Sequence, residues 1–357
     1  MEEKIEMKNK ICVVLILIVM IFGCSKSESE YEPSGEKTNI RKPMSWGHKQ
    51  TIYIFADDNV WKYAETPLRE SLERFWFTVR NESFFEIKRA KFEAIEQFYK
   101  FNNLIFLCDL ESNEEVSEYI KEKVGEKIVD EVKANSIGMY PKNNLWANDQ
   151  FILFLIGDNE RNLLSFNILQ ANTTFDLFQD KLYERIATKI YKMKIHTDNF
   201  FSGLSWELKL PKNYVLYKKE KDFISFLARQ GKKADRFISV YSEKMDEDNI
   251  GKEWLKEKRA EIAWKYYDED EFSQSDIRIE RGKFNEFKCW KLSGRWQNKK
   301  YAVGGAFQSF AFYDEKTKSA FLIDNSVYYP EGDKIPSLIE LEVISRTFQI
   351  KEERGKE

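Results

Sequence analysis

Two rhythms of apolar residues divide the chain. In the first half, short apolar runs alternate with stretches of helical period. Thr51–Asp57 (TIYIFAD) predicts a strand, and the segment from Asn59 to Trp76 carries a helical period. FFEIKRAKFEAI and NNLIFLCDL predict two further strands. Asp149–Asp158 (DQFILFLIGD) is continuously apolar, the pattern of a central strand covered on both faces. Between the last two lies a strongly charged segment with Val116, Ile120, Val124, Ile128 and Val132 spaced by four, which predicts one amphipathic helix. TFDLFQDKLYERIATKIYKMK predicts the helix that closes this half.

The second half is strand-rich. Two or three short strands are expected across LSWELKLPKNYVLYKKEKDFISFLAR, with a turn at Pro211-Lys212-Asn213. DRFISVYSEK adds another, and a helix is expected from Gly251 to Tyr267. DIRIERGKF, FKCWKLSGRW, GGAFQSFAFYD and SAFLIDNSVYYP predict four more strands, and PSLIELEVISRTF a last helix. The reading is α+β, with two α/β-sandwich-like domains, the second a largely antiparallel sheet covered by helices. The opening LKLPKNYVL and the closing helix resemble the PsbP/Mog1-type sandwich.

One apolar run fits neither rhythm. Ile11 to Gly23 is almost uninterrupted and spans roughly 20 Å as a helix, short of the ~30 Å hydrocarbon core of a bilayer. With Lys8 and Lys10 ahead of it, it reads as the apolar region of a secretory signal peptide, with Met7 the more natural start. It ends at Ile21-Phe22-Gly23-Cys24, which resembles the bacterial lipobox. That resemblance implies cleavage before Cys24, diacylglycerol on its thiol and acylation of the new amino terminus, and several acyl chains give a stable anchor. The polar SKSESEYEPSGEKTNIRKP then reads as a tether, because it has almost nothing apolar to bury. Expected organisation is a signal peptide over 1–23, a tether over 24–46, an N-terminal α/β domain over 47–196 and a C-terminal α+β domain over 197–357. The expected location is the cell envelope, lipid-anchored at the outer membrane, on its periplasmic or surface face.

Charge and chemistry narrow the function by exclusion. The net charge is −3, and removal of residues 1–23 takes away three Glu and three Lys and leaves it there. No block of Lys or Arg forms a stripe, which disfavours nucleic acid as a partner. HExxH, GxSxG, GxxxxGK[ST] and GxGxxG motifs are absent. The two histidines, His48 at the tether boundary and His196 in the expected inter-domain linker, are poor material for a triad or a multi-histidine metal site. Cys108 and Cys289, in strand-like surroundings, read as buried free thiols. Asp246, Asp248, Gly251 and Glu257 partly imitate a calcium loop, but Ile250 stands where an oxygen ligand is needed, so Asp248 or Asn249 is expected to cap the following helix. Asp57 and Asp58 are likewise expected to act as caps. No catalytic residue, metal site or cofactor is assigned.

The stretch from Ser293 to Ile344 carries a family resemblance. Gly294 and Trp296, Gly304-Gly305 and Phe307, VYYPEGDK, and Leu341-Glu342 resemble the signature of an uncharacterised Bacteroidetes lipoprotein family with a domain of unknown function (DUF4837-like). Leu145–Leu155 and Asp57–Trp61 look like its N-terminal signatures, so that the resemblance extends over nearly the whole mature chain. Val303 and Ala306 stand where the pattern has Met and Pro. The family implies the address and supplies no reaction.

The expected function is a lipid-anchored, non-enzymatic binding or assembly module, with the membrane and an envelope protein or glycan as partners. The alternative is a carboxylate-dependent hydrolase of envelope or glycan substrates. Candidate binding residues are Arg295, Trp296, Gly304 and Gly305, on a hairpin expected around QNKK, together with Trp61 and Trp146 near polar turns. Cys24 is the expected lipidation site.

Overall fold

The computed structural model describes residues 42–351 apart from Val79 and Met193. Cys24 and the expected signal peptide lie outside the described residues, as does most of the expected tether. The first half runs β1 (Thr51–Phe55), α1 (Asp58–Leu72), β2 (Phe75–Phe77), β3 (Asn81–Ser83), β4 (Glu86–Arg89), α2 (Ile95–Phe98), β5 (Asn103–Asp109), α3 (Glu115–Val124), α4 (Glu126–Asn135), β6 (Ile137–Asn143), β7 (Phe151–Gly157), α5 (Glu160–Leu169) and α6 (Ala171–Tyr191). Five of these strands form a sheet in the order β4-β1-β5-β7-β6, parallel except for β6. The central strands β5 and β7 are buried along their whole length, which is why their sequences are continuously apolar.

β6 (IGMYPKN) was not expected as a strand. It lies at the sheet edge with its last three residues exposed, where Pro141 and Lys142 are tolerated. The single charged helix expected over residues 113–134 is two helices. Gly125 breaks it with φ +78°, a conformation that costs glycine little. Val116, Ile120 and Val132 still reach the same apolar layer, so the four-residue spacing survives the break.

The second half comprises β8 (Trp206–Glu207), β9 (Val215–Lys219), β10 (Phe223–Ala228), β11 (Asp235–Lys244), α7 (Lys252–Tyr266), β12 (Ile277–Phe284), β13 (Phe287–Asn298), β14 (Val303–Asp314), β15 (Ser319–Tyr328), α8 (Ile335–Ser345) and β16 (Gln349–Ile350). Seven strands form an antiparallel sheet in the order β12-β13-β14-β15-β11-β10-β9. The class is therefore α+β. Gly251, not Asp248 or Asn249, occupies the N-cap of α7. Glu247–Asn249 forms a separate 3-10 turn, so neither acid nor amide reaches the helix end.

Residues 42–351 belong to one compact unit because the two sheets share a helical layer. From α6, Phe175, Phe178 and Leu182 pack toward the first sheet, and Ile190 toward the second. From α8, Ile335 and Ile339 join the first core, and Leu338, Leu341 and Ile344 the second. Lying between two sheets, α8 buries eight of its eleven residues, and the buried Glu342 among them is paired with Arg346. Its N-terminus is held from the other half: Glu82 of β3 accepts from the backbone N–H groups of Lys334 and Ile335 at 2.7 and 2.8 Å. Helix α7 covers the opposite face of the seven-stranded sheet.

Candidate functional site

In parallel sheets of this kind, ligands bind beyond the carboxyl ends of neighbouring strands whose helices leave to opposite faces. Here those strands are β1 and β5, with α1 packed on one face and α3 on the other. That crevice is occupied by the protein itself. The Asp57 carboxylate accepts from the N–H groups of Val116 and Ser117 at 2.7 and 3.0 Å, at the start of α3. The Glu114 carboxylate in return accepts from the N–H of Asp58 at 3.0 Å and from the Asn59 amide, at the start of α1. Asp57 was expected to cap its own helix, and the sheet instead makes it cap α3. Both positive helix ends are thereby neutralised internally. Asp58 pairs with Arg89 at 2.5 Å, and this bond holds its carboxyl below the usual range.

The second sheet presents a more open arrangement. On its α7 face, register places Trp296, Gly305, Tyr328 and Asp235 in one row across β13, β14, β15 and β11. This row lies where β13 and β15 end and β11 and β14 begin. A cavity of about 270 Å³ opens there. Six aromatic side chains line it: Tyr217, Phe237, Tyr267, Trp296, Tyr301 and Tyr328. Polar groups also line it, namely Arg229, Asp235, Asp268, Asp270, Asn298 and Ser326.

The backbone around this cavity is under local constraint. Asp268, Glu269 and Ala302 hold φ values of +51°, +69° and +52°, a region costly for residues with a Cβ. Asn298 ties the two loops together: its Nδ2 donates to the Asp268 carbonyl and to Asp270 Oδ1, both at 2.8 Å, and its Oδ1 accepts from the N–H of Tyr301 at 3.0 Å. Gly305 is required by close approach. A Cβ there would collide with the Val327 carbonyl oxygen and stand 2.8 Å from the Trp296 ring.

Below the cavity lies a buried polar row. Ser309, Asp324, Ser239 and Ser225 sit side by side across four strands. Arg259 of α7 donates from Nε to Asp324 at 2.7 Å, both side chains fully buried, and the guanidinium lies 4.3 Å from the Phe307 ring centroid. Tyr267 hydrogen-bonds Ser239, and burial pushes its phenol well above the usual range. Asp270, held partly away from water, is raised to about 6, against the opposing pull of its bond to Asn298. Asp235 by contrast pairs with Arg229 at 2.7 Å. A wall of aromatic rings with hydrogen-bonding groups at its rim can stack against the C–H face of a ring while binding its polar edges.

The sequence-predicted residues fall in three places. Trp296, Gly304 and Gly305 meet at the β13–β14 hairpin, whose four-residue turn (299–302) contains Lys299 and Lys300. Trp296 is 7% exposed, faces the α7 core, and its indole N–H has no partner among the described residues. Arg295, the preceding residue, is on the opposite face of the strand and donates to Asp276 at 2.6 Å. Trp61 is buried in the first core on α1, and Trp146 is half-buried on the other face of that sheet, beside Tyr99 and Phe106. Neither joins the cavity. Sequence reasoning missed Tyr217, Phe237, Tyr267, Tyr301 and Tyr328. Only Tyr328, within VYYPEGDK, and Tyr301, beside the lysines of the turn, carried a local signal. Of the other three, Tyr217 and Phe237 arrive on strands β9 and β11, and Tyr267 at the C-terminal end of α7. Cys108 and Cys289 are free and buried, and burial pushes their thiols up to about 12 and about 11.

No curated protein matches the sequence. Among solved structures, a protein of Bacteroides thetaiotaomicron is 13% identical with a TM-score of 0.29, over 46% of this chain and 51% of the other, so the chain spans about half the length of that protein. The Saccharomyces cerevisiae Ran-binding protein Mog1p is 9% identical with a TM-score of 0.33, over 44% of this chain and 96% of its own. LpqN, described as involved in cell envelope biogenesis of Mycobacterium tuberculosis, is 14% identical with a TM-score of 0.27, over 47% and 97%. Two family models match. One covers residues 45–191, so Asp57–Trp61 and Leu145–Leu155 fall to it and not to the family expected across the whole chain. The chain thus matches two adjoining domains of unknown function, DUF8532 over residues 45–191 and DUF4837 over residues 192–347.

Proposed function

We propose that the protein is a glycan-binding module held at the outer membrane of the cell envelope, on its periplasmic or surface face, by acyl chains on Cys24. The observation that carries the binding function is the convergence of six aromatic side chains on one cavity of about 270 Å³, a volume suited to one or two sugar rings. Its charge favours neutral or amino sugars over acidic ones. Arg229 is taken up by Asp235, which leaves Asp268 and Asp270 as the net charge of the wall. Tyr301 is 54% exposed at the mouth, and removing its ring leaves the core untouched.

The test is binding of neutral, amino and acidic oligosaccharides by titration calorimetry. Expected is measurable affinity for the first two, and at least a tenfold loss in Tyr301→Ala at unchanged melting temperature. Absence of binding to every sugar class, or indifference to Tyr301→Ala, would refute the proposal.

The hydrolase alternative is favoured by one observation, the Asp270 carboxyl raised to about 6 beside Asp268. It requires release of reducing ends from a bound oligosaccharide, abolished in Asp270→Asn. Binding without turnover separates the two readings.

A further inference from the structure

We infer that the end of the first sheet where the described chain begins is a membrane-docking face, seated on an anionic lipid surface. The inference rests on the Cys24 anchor proposed above. Residues 42–46 lie across the loops that lead into β5 and β7. The N–H of Ser45 donates to the Asn148 carbonyl at 2.8 Å, and the N–H of Trp46 to the Lys100 carbonyl at 3.1 Å. Lys42 Nζ donates to the Asn144 carbonyl at 2.9 Å. These contacts gather Met44, Trp46 and Leu145, all exposed, at one end of the molecule. Met44 is 66% exposed and Trp46 57%, although Trp46 is stacked on Phe101 with ring centroids 4.6 Å apart.

Three lysines accompany them. Lys42 opens the segment, Lys100 precedes the Phe101 on which Trp46 rests, and Lys142 is the last residue but one of the edge strand, ahead of Asn143, Asn144 and Leu145. Exposed Trp and Met interleaved with lysine suit the headgroup boundary of a bilayer, where an indole sits at the interface and ammonium groups meet anionic lipid. The position of the chain end makes a lipid surface the natural occupant. From Cys24 to Lys42 is 18 residues (42 − 24), which reach at most about 60–65 Å. The chain enters the folded unit at this face, so of all faces it needs the least tether to meet the membrane. The acyl chains on Cys24 already hold the protein at the membrane. The docking contact would set the orientation of the domain.

The test uses the full acylated chain, reconstituted into phosphatidylcholine–phosphatidylglycerol vesicles with brominated acyl chains. Fluorophores are placed at Met44→Cys, Leu145→Cys and, as a control on α7, Trp264→Cys. The native Cys108 and Cys289 are buried and stay unlabelled. Expected is several-fold stronger bromine quenching at 44 and 145 than at 264, weakened when phosphatidylglycerol is omitted. Equal quenching at all three sites in protein that floats with the vesicles would overturn the docking face and leave the anchor standing. Failure to float would overturn both. Labels at 44 and 145 shielded from aqueous iodide but untouched by bromine would mean that a second copy covers this face, and would also overturn it.

Discussion

Replacing Trp296 with Ala tests whether the cavity wall is also part of the core. The indole is 7% exposed, so nearly all of its surface is withdrawn from water. An aromatic side chain of this size buries about 150–250 Å², which at about 25 cal/mol per Å² corresponds to roughly 4–6 kcal/mol of transfer free energy. Ala retains a small part of this. The space left behind adjoins an existing cavity and Gly305, whose bare backbone offers no side chain to fill it. The indole N–H has no hydrogen-bond partner among the described residues, so its removal adds no lost bond. The expected cost is therefore about 3–5 kcal/mol. At roughly 2–4 °C per kcal/mol for chains of about this size, the midpoint should fall by roughly 6–20 °C. Far-UV circular dichroism during thermal and urea unfolding measures it without relying on tryptophan emission. Trp296→Phe keeps most of the apolar area and should cost under about 1.5 kcal/mol. A midpoint for Trp296→Ala within about 1 °C of the parent would refute the packing argument and leave the ring a purely ligand-facing group.

Three other outcomes are expected. Asp270 has a folded-state pKa of about 6 against an ordinary 3.8, so the folded state favours the protonated acid and loses stability as pH rises from about 4 through 6. Asp270→Asn should remove that loss, stabilising the protein at pH 7 by about 1–2 kcal/mol after allowance for its partial exposure and leaving pH 4 unchanged, as read from urea midpoints at the two pH values. Asp57→Ala should destabilise by about 2 kcal/mol or more, since it orphans two N–H groups at the start of α3, and hydrogen exchange should rise first at Val116 and Ser117; an unchanged exchange rate there would count against the reciprocal capping. Cys24→Ser should leave the chain unprocessed or free of the membrane fraction, and a palmitate analogue should label the parent alone; equal labelling of the variant would exclude the anchor.

The buried runs were legible because period and burial are the same physical fact seen twice. A strand covered on both faces must be apolar throughout, so β5 and β7 announced themselves in NNLIFLCDL and DQFILFLIGD. The β13–β14 hairpin was equally visible, from two β-compatible runs around a short polar turn. The Gly125 break was not, because an apolar stripe repeats every four residues whether or not one glycine between them turns the backbone. Edge strand β6 was hidden for the opposite reason: an edge tolerates the proline and lysine that exclude a central strand.

Which residues share a site was settled only by tertiary structure. Trp296 and Gly305 could be paired from the hairpin alone. Tyr328 and Asp235 join them through register across β15 and β11, and Tyr217, Phe237 and Tyr267 arrive from 79, 59 and 29 residues before Trp296. A single sequence marks each of these as an aromatic or acid in a strand or loop, without saying which neighbours it has. The same limit applies to Asp57. Its place before a helix pointed to local capping, but the adjacency of β1 and β5 brought a second helix start within 3 Å and took the carboxylate for it. By itself the sequence determined the class of the fold, from the periodicity that burial imposes. Only the three-dimensional arrangement decided the site, because strand register and the helical layer shared by the two sheets depend on contacts between segments far apart in the chain.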